Sequence, residues 1–157
     1  MAKYGNYGEM AKAIIKENKY MVIATSDKSG RPWANPVFYA YDDKYDFYFL
    51  SAIDSVHAKN IIANFKVSIV IFDSKQKVGS SEAVQIEGSA SIVKKENLER
   101  VIRIYSENLF PSSKMEHTER YNPKDYDEPS EFRFFKVTPA KIYVTGVDRR
   151  VEVDLSE

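Results

Sequence analysis

Residues 46–73, DFYFLSAIDSVHAKNIIANFKVSIVIFD, constrain this chain most, because two strand signals enclose one short helical segment. Residues 47–50 are aromatic and apolar, as strands prefer, and residues 67–72 form a β-branched run stopped by the turn formers Asp73 and Ser74. Both read as buried sheet. Between them Ser55 is placed to cap a helix on which Val56, Ile61, Ile62 and Phe65 roughly keep an apolar stripe. The first turn carries His57 and Lys59, with Ser51 and Ser55 just upstream. A helix N-terminus offers unpaired N–H groups and the positive end of a dipole, so hydroxyls, an imidazole and an ammonium gathered there make a phosphate seat. The competing reading is a capped amphipathic helix whose polar residues face solvent.

A chain of 157 residues suits one domain over residues 1–157, and at this size it buries roughly 70% of its unfolded surface. Without cysteine it has no disulfide, thiolate zinc site or cysteine nucleophile, which fits a reducing compartment. Lys plus Arg and Asp plus Glu both total 23, so no net field recruits nucleic acid or anionic lipid. The longest apolar run spans a strand rather than a bilayer, and residues 1–5 lead into polar sequence, so the expectation is a soluble, cytoplasmic chain. The 11 Tyr and 9 Phe suit sheets, an apolar ligand cavity or an interface, and composition does not separate the three.

In chain order, residues 9–18 predict an amphipathic helix with Met10, Ala13 and Ile14 on its apolar side, covering one end of a sheet. Residues 20–25 and 33–41 read as a hairpin about the turn 26–32, and a turn at 42–44 leads to the strand at 46–50, giving a three-stranded meander. Pro36 cannot donate to a ladder, so its position marks an edge, a bulge or an opening of the sheet. Residues 83–93 predict a long half-buried strand with Val84, Ile86 and Ile92 on one side, Gln85 and Glu87 on the other, and Gly88 as a bulge or close approach. Residues 95–108 read as a helix with Leu98, Val101, Ile102 and Tyr105 inward, ended by Pro111. Residues 112–131, polar and long, suit a lid or dimer arm. Two last strands, 132–137 and 141–147, are expected on either side of Thr138 and Pro139, and residues 148–157 either add an edge strand or fray. The sum is an α+β chain: five or six strands in meander order, mostly antiparallel, closed into a small barrel with flanking helices.

His117 sits among charges and reads as a surface residue, which leaves His57 as the stronger candidate. No His or carboxylate spacing marks a metal site, and the Asp42–Asp43 and 125–128 acids read as turn or surface groups. Glycine-rich dinucleotide and phosphate loops and the nucleophile elbow are absent, so any nucleotide or flavin is held by another device.

Taken together, Ala24-Thr25-Ser26, Gly30-Arg31-Pro32, Asn35-Pro36-Val37-Phe38-Tyr39, residues 47–51, 57–60, 67–71 and Ile86-Glu87-Gly88-Ser89-Ala90 resemble the pyridoxamine 5′-phosphate oxidase-like, FMN-binding split-barrel family. The resemblance covers about residues 20–93, with 139–145 similar to the closing strand. It implies a six-stranded split barrel acting as a homodimer, with two FMN molecules in clefts at the interface. It also implies cofactor-binding roles for Asn35, Pro36, Val37, Phe38 and Ile53 along the flavin ring, and for Ser51, Ala52, Ser55, His57, Lys59 and Asn60 around the phosphate. Gln85 lies one alternation from a further flavin-contacting position. Family oxidases carry arginine at Ala34 and lysine at Tyr39, an Arg-Lys pair at Val56-His57, and a C-terminal tryptophan and arginine for which Trp33 and Asp148-Arg149-Arg150 are loose stand-ins. Those departures speak against vitamin B6 oxidation and leave FMN binding standing. The expected function is an FMN-dependent oxidoreductase on a small molecule, with NADH or NADPH as a candidate donor. The alternatives are an FMN-binding carrier or sensor without turnover, or a related barrel using deazaflavin or haem.

Overall fold

The computed structural model describes residues 5–109, 121–146 and 149–155. Its elements in chain order are α1 Tyr7–Glu17, β1 Tyr20–Ser26, β2 Pro32–Phe38, β3 Ala40–Tyr41, β4 Phe47–Ala52, α2 Val56–Ala63, β5 Lys66–Phe72, β6 Ala83–Ile92, α3 Leu98–Leu109, β7 Phe132–Thr145 and β8 Arg150–Val153. All strands join one antiparallel sheet in the order β2-β1-β5-β6-β7-β4-β3, with β8 added beside β7. Because β2 and β3 stand at opposite ends of that order yet are separated in sequence by Tyr39 alone, one interrupted strand borders both sides and curls the sheet into a split barrel. The α+β split-barrel expectation is met, with two corrections. Counting β2 and β3 together, the described residues hold seven strands rather than six, and the seventh is β8. Nor is the order a simple meander: α2 carries the chain across the barrel end, so β5 pairs with β1, and β4 pairs with β7.

The aromatic run of β4 is explained by burial on two faces. Phe47 and Phe49 point into the barrel with Ile23, Ile69, Ile86 and Phe135, and Tyr48 points out into a second cluster under α3 with Val93, Leu98, Val101, Ile102 and Phe134. Phe49 and Phe135 stack 5.1 Å apart, a geometry worth about 0.5–1.5 kcal/mol beyond the area buried. Helix α1, capped by the Asn6 side chain accepting from the Glu9 amide, packs Met10, Ala11, Ile14 and Ile15 into the barrel; Ala11 and Ile15, rather than Ala13, complete the inward face. The Tyr39 hydroxyl donates to the Ile15 carbonyl at 2.6 Å and ties α1 to the break between β2 and β3. On the other side Arg100 of α3 reaches Asp42 at 2.6 Å, and the Tyr48 hydroxyl donates to the same carboxylate at 2.9 Å. Desolvation pulls the Asp42 pKa up, but Arg100, Tyr48 and the amides of Asp46 and Lys44 outweigh it and hold the carboxyl below its ordinary range.

Pro36 does lie on an edge strand, opposite Val22. Gly88 is both bulge and close approach: the β6–β7 register shifts between Glu87 and Gly88, and a Cβ at Gly88 would stand 2.6 Å from the Thr138 carbonyl oxygen. That accommodation lets β7 run unbroken through Pro139, so the interruption expected at Thr138-Pro139 does not occur. Of the apolar stripe expected on α2, Ile61 is buried in the core and the other three residues are not. His57, Ala58, Asn60 and Ile61 face inward, while Val56, Ile62 and the following Phe65 are 44%, 60% and 61% exposed. Among the described residues no helix is long and apolar enough to cross a membrane. Pro111, His117 and Asp148, with residues 112–120 of the expected lid segment, lie outside the described residues.

Candidate functional site

The turn between β4 and α2 assembles the first three site residues. Ser55 takes an extended backbone at the helix cap, its Oγ accepting from the Ala58 amide at 3.3 Å and donating to the Ala52 carbonyl at 2.8 Å. Helical spacing then turns His57 inward beside Ala58 and Ile61, where its Nε2 lies 2.7 Å from Ser51 Oγ and 3.4 Å from Ser55 Oγ. The two hydroxyls are 3.3 Å apart, which closes a Ser51–Ser55–His57 triangle. Burial pulls the imidazole pKa below its ordinary 6.5, so at neutral pH the ring contributes hydrogen bonding rather than charge. With Ala58 capped by the Ser55 side chain and the Lys59 amide bonded to the Ser55 carbonyl, the amides of Val56 and His57 are the first-turn donors left for a ligand. Lys59, the one cation of α2, is exposed, and no acid occupies the first turn.

Asn60 is placed differently. Its Nδ2 donates to Thr25 Oγ1 at 3.1 Å, both residues being buried, and so locks α2 to β1. The Ile53 amide donates to the Glu131 carbonyl at 2.8 Å and its side chain packs on the barrel core, while Ala52 pairs with Phe132. On β2, Val37 is buried in the barrel and Phe38 meets Tyr105 edge-on at 5.3 Å under α3, whereas Pro36 is exposed. Asn35 Nδ2 donates to the adjacent Pro36 carbonyl at 3.0 Å. Gln85 stands apart from the triangle. It lies in the lateral row Pro36, Val22, Val70, Gln85, three strand spacings or about 14 Å from Pro36 along the sheet.

One residue beside the triangle was missed in the sequence. Arg133 on β7 pairs directly with Ser51 on β4 and is buried. The available signal was strand parity, because Arg133 shares its face with the core residues Phe135 and Val137. Two clefts of the single chain lie away from the triangle: one of about 470 Å³ between residues 43–46, the middle of β7 and residues 152–155, and one of about 340 Å³ beside Tyr48, Arg100 and Lys136. No group of three or more His, Cys, Asp or Glu suited to a metal occurs among the described residues.

A curled antiparallel sheet bordered by one interrupted strand, with a hydroxyl-lined helix start at its end, defines a split-barrel protein. The family model for pyridoxamine 5′-phosphate oxidase matches residues 8–146, and the chain belongs to the pyridoxamine 5′-phosphate oxidase-like family. No curated protein matches the sequence. Among solved structures, the haem-binding protein of Mycobacterium smegmatis superposes with TM-score 0.72 at 17% identity, over 93% of this chain and 57% of that one. HutZ, the haem storage protein of Vibrio cholerae, gives 0.65 at 20% identity over 88% and 95% of the two chains. A Listeria innocua protein provisionally assigned as a pyridoxamine 5′-phosphate oxidase gives 0.60 at 20% identity over 85% and 93%. These likenesses establish the shared fold.

Proposed function

We propose that the chain is an FMN-dependent oxidoreductase acting on a small molecule, with the start of α2 holding the FMN phosphate and a homodimer completing the site. The observation that carries the reading is the Ser51–Ser55–His57 triangle at a helix N-terminus with Lys59 on its first turn. The donor set fits a phosphate dianion: the Ser51 hydroxyl, two amides, a positive helix end and an ammonium, while the Ser55 hydroxyl is spent on the Ala52 carbonyl and holds the turn in shape. Hydrogen bonds to such a charged group are each worth about 1.5–3 kcal/mol. His57 keeps the Ser51 hydroxyl oriented, and Asn60 fixes α2 against β1 so that the amides stay aimed. Asn35, Pro36, Val37 and Ile53 are the segments assigned to the ring, and Pro36, lacking an N–H, leaves the edge of the sheet open to it. Bound FMN supplies the hydride or electron transfer, with NADH or NADPH as the proposed donor.

The homodimer is supported by the apolar surface around α2. Val56, Ile62 and Phe65 are joined there by Trp33, 46% exposed and opposite Thr25, and by Phe132, 48% exposed and opposite Ala52. A cluster of large apolar side chains at one end of a barrel is characteristic of an interface rather than of free surface. Haem is the second reading, supported by the names of two similar structures. Against it, the inward Nε2 of His57 is already engaged by Ser51 and the chain has no cysteine, so an iron ligand must come from elsewhere. The absorbance spectrum of the purified chain, before and after adding FMN, tests the proposal. A flavin spectrum that NADH or NADPH bleaches supports it, a flavin that neither reduces supports the carrier alternative, and a Soret band replaces it with haem.

A further inference from the structure

Arg133 is 8% exposed, and its Nε–H is a buried side-chain donor without a partner among the described residues. A guanidinium carries five N–H donors and keeps its proton in proteins, so an orphaned donor in a buried position is costly and calls for an acceptor. The ion pair it does make, Nη1 to Glu128 Oε1, is 3.6 Å long, reaches a side chain that is 83% exposed and leaves Nε unserved. Its position supplies a direction. Arg133 stands opposite Ser51 in the β4–β7 register, and residues so paired share a sheet face. Two residues on, Phe135 of the same face stacks on Phe49, whose ring lies 6.1 Å from that of His57. The face that carries Arg133 is therefore the face that ends in the Ser51–Ser55–His57 triangle.

We propose that Arg133 is a buried anion-binding residue of this turn, its guanidinium joining the Ser51 hydroxyl and the first amides of α2 to hold a phosphate monoester. The proposal rests on the reading of the turn as a phosphate seat and deepens it. It answers a deficit in that seat. His57 is held neutral and Lys59 stands in solvent, so without Arg133 a phosphate dianion at the triangle has no desolvated cation to meet it. Arginine suits the task because its planar fork offers paired donors to two oxygens of one phosphate.

The test is a fluorescence titration of the full chain, its Arg133→Gln and Arg133→Lys variants, with FMN and with riboflavin, which lacks the phosphate. The wild type is expected to prefer FMN. In R133Q that preference should fall at least tenfold with riboflavin affinity within twofold of wild type, and in R133K it should fall less. A folded R133Q whose preference stays within twofold of wild type overturns the role of Arg133 and leaves FMN binding intact. A wild type that binds neither flavin overturns the flavin reading, and a titration with inorganic phosphate then judges Arg133 alone. Should both variants unfold, the wild type still decides. Its most protected arginine Nε–H resonance must shift on adding inorganic phosphate, and a resonance that stays in place overturns the proposal.

Discussion

His57 is buried, neutral and bonded to Ser51, and this fixes how stability responds to acid. Burial lowers its pKa from 6.5 in the folded chain, so below that value the unfolded chain takes up a proton that the folded one refuses. The contribution is complete above about pH 6.5 and is lost as pH falls through the lowered value. Denaturant midpoints of the wild type are expected to drop between pH 7 and pH 5 more steeply than those of His57→Gln; parallel slopes would place the imidazole in solvent. Lys59 acts without burial. Its removal in Lys59→Ala is expected to weaken FMN binding three- to fivefold, about 1 kcal/mol, with a smaller effect at high salt, read by fluorescence titration. An unchanged affinity would take Lys59 out of the phosphate seat. The Ser55 cap was legible in the sequence because a serine before a helical run has one dominant local use. The inward turn of His57 and Asn60 was not, since their partners Ser51 and Thr25 come from β4 and β1, and apolar spacing alone favoured Val56 and Ile62.

At the scale of elements, the β6–β7 pair depends on Gly88. Gly88→Ala forces a Cβ to 2.6 Å from a backbone oxygen, and overpacking of this kind costs about 1–3 kcal/mol. The expected outcome is a lower denaturant midpoint with an unchanged slope, and a midpoint equal to wild type would show that the bulge relaxes freely. Sequence reading found Gly88 because a lone glycine within an alternating strand has few other purposes. It broke β7 at Pro139 because proline removes a ladder donor, yet Pro139 pairs with Gly88 at the very place where the register shifts. The two irregularities cancel across the sheet, and neither shows that from its own neighbours. Leu98, Val101, Ile102 and Tyr105 gave α3 away by their spacing, and the structure buries all four. β8 stood in the sequence as a choice between edge strand and fraying, settled by its pairing with residues 142–145.

For the whole molecule, the barrel class was legible and its strand order was not. Alternation and turns define strands, but whether β5 follows β4 or returns to β1 depends on how α2 crosses the barrel end, a long-range matter with no local signature. The same crossing sets Ser51, His57 and Arg133 around one turn and leaves Val56, Ile62 and Phe65 exposed on the outer side. A calorimetric titration of FMN, and separately riboflavin, into the cofactor-free chain tests that arrangement most directly. One FMN bound per chain, at least tenfold more tightly than riboflavin, is the predicted result. Equal binding of the two, or no binding of either, would contradict a phosphate seat at the start of α2.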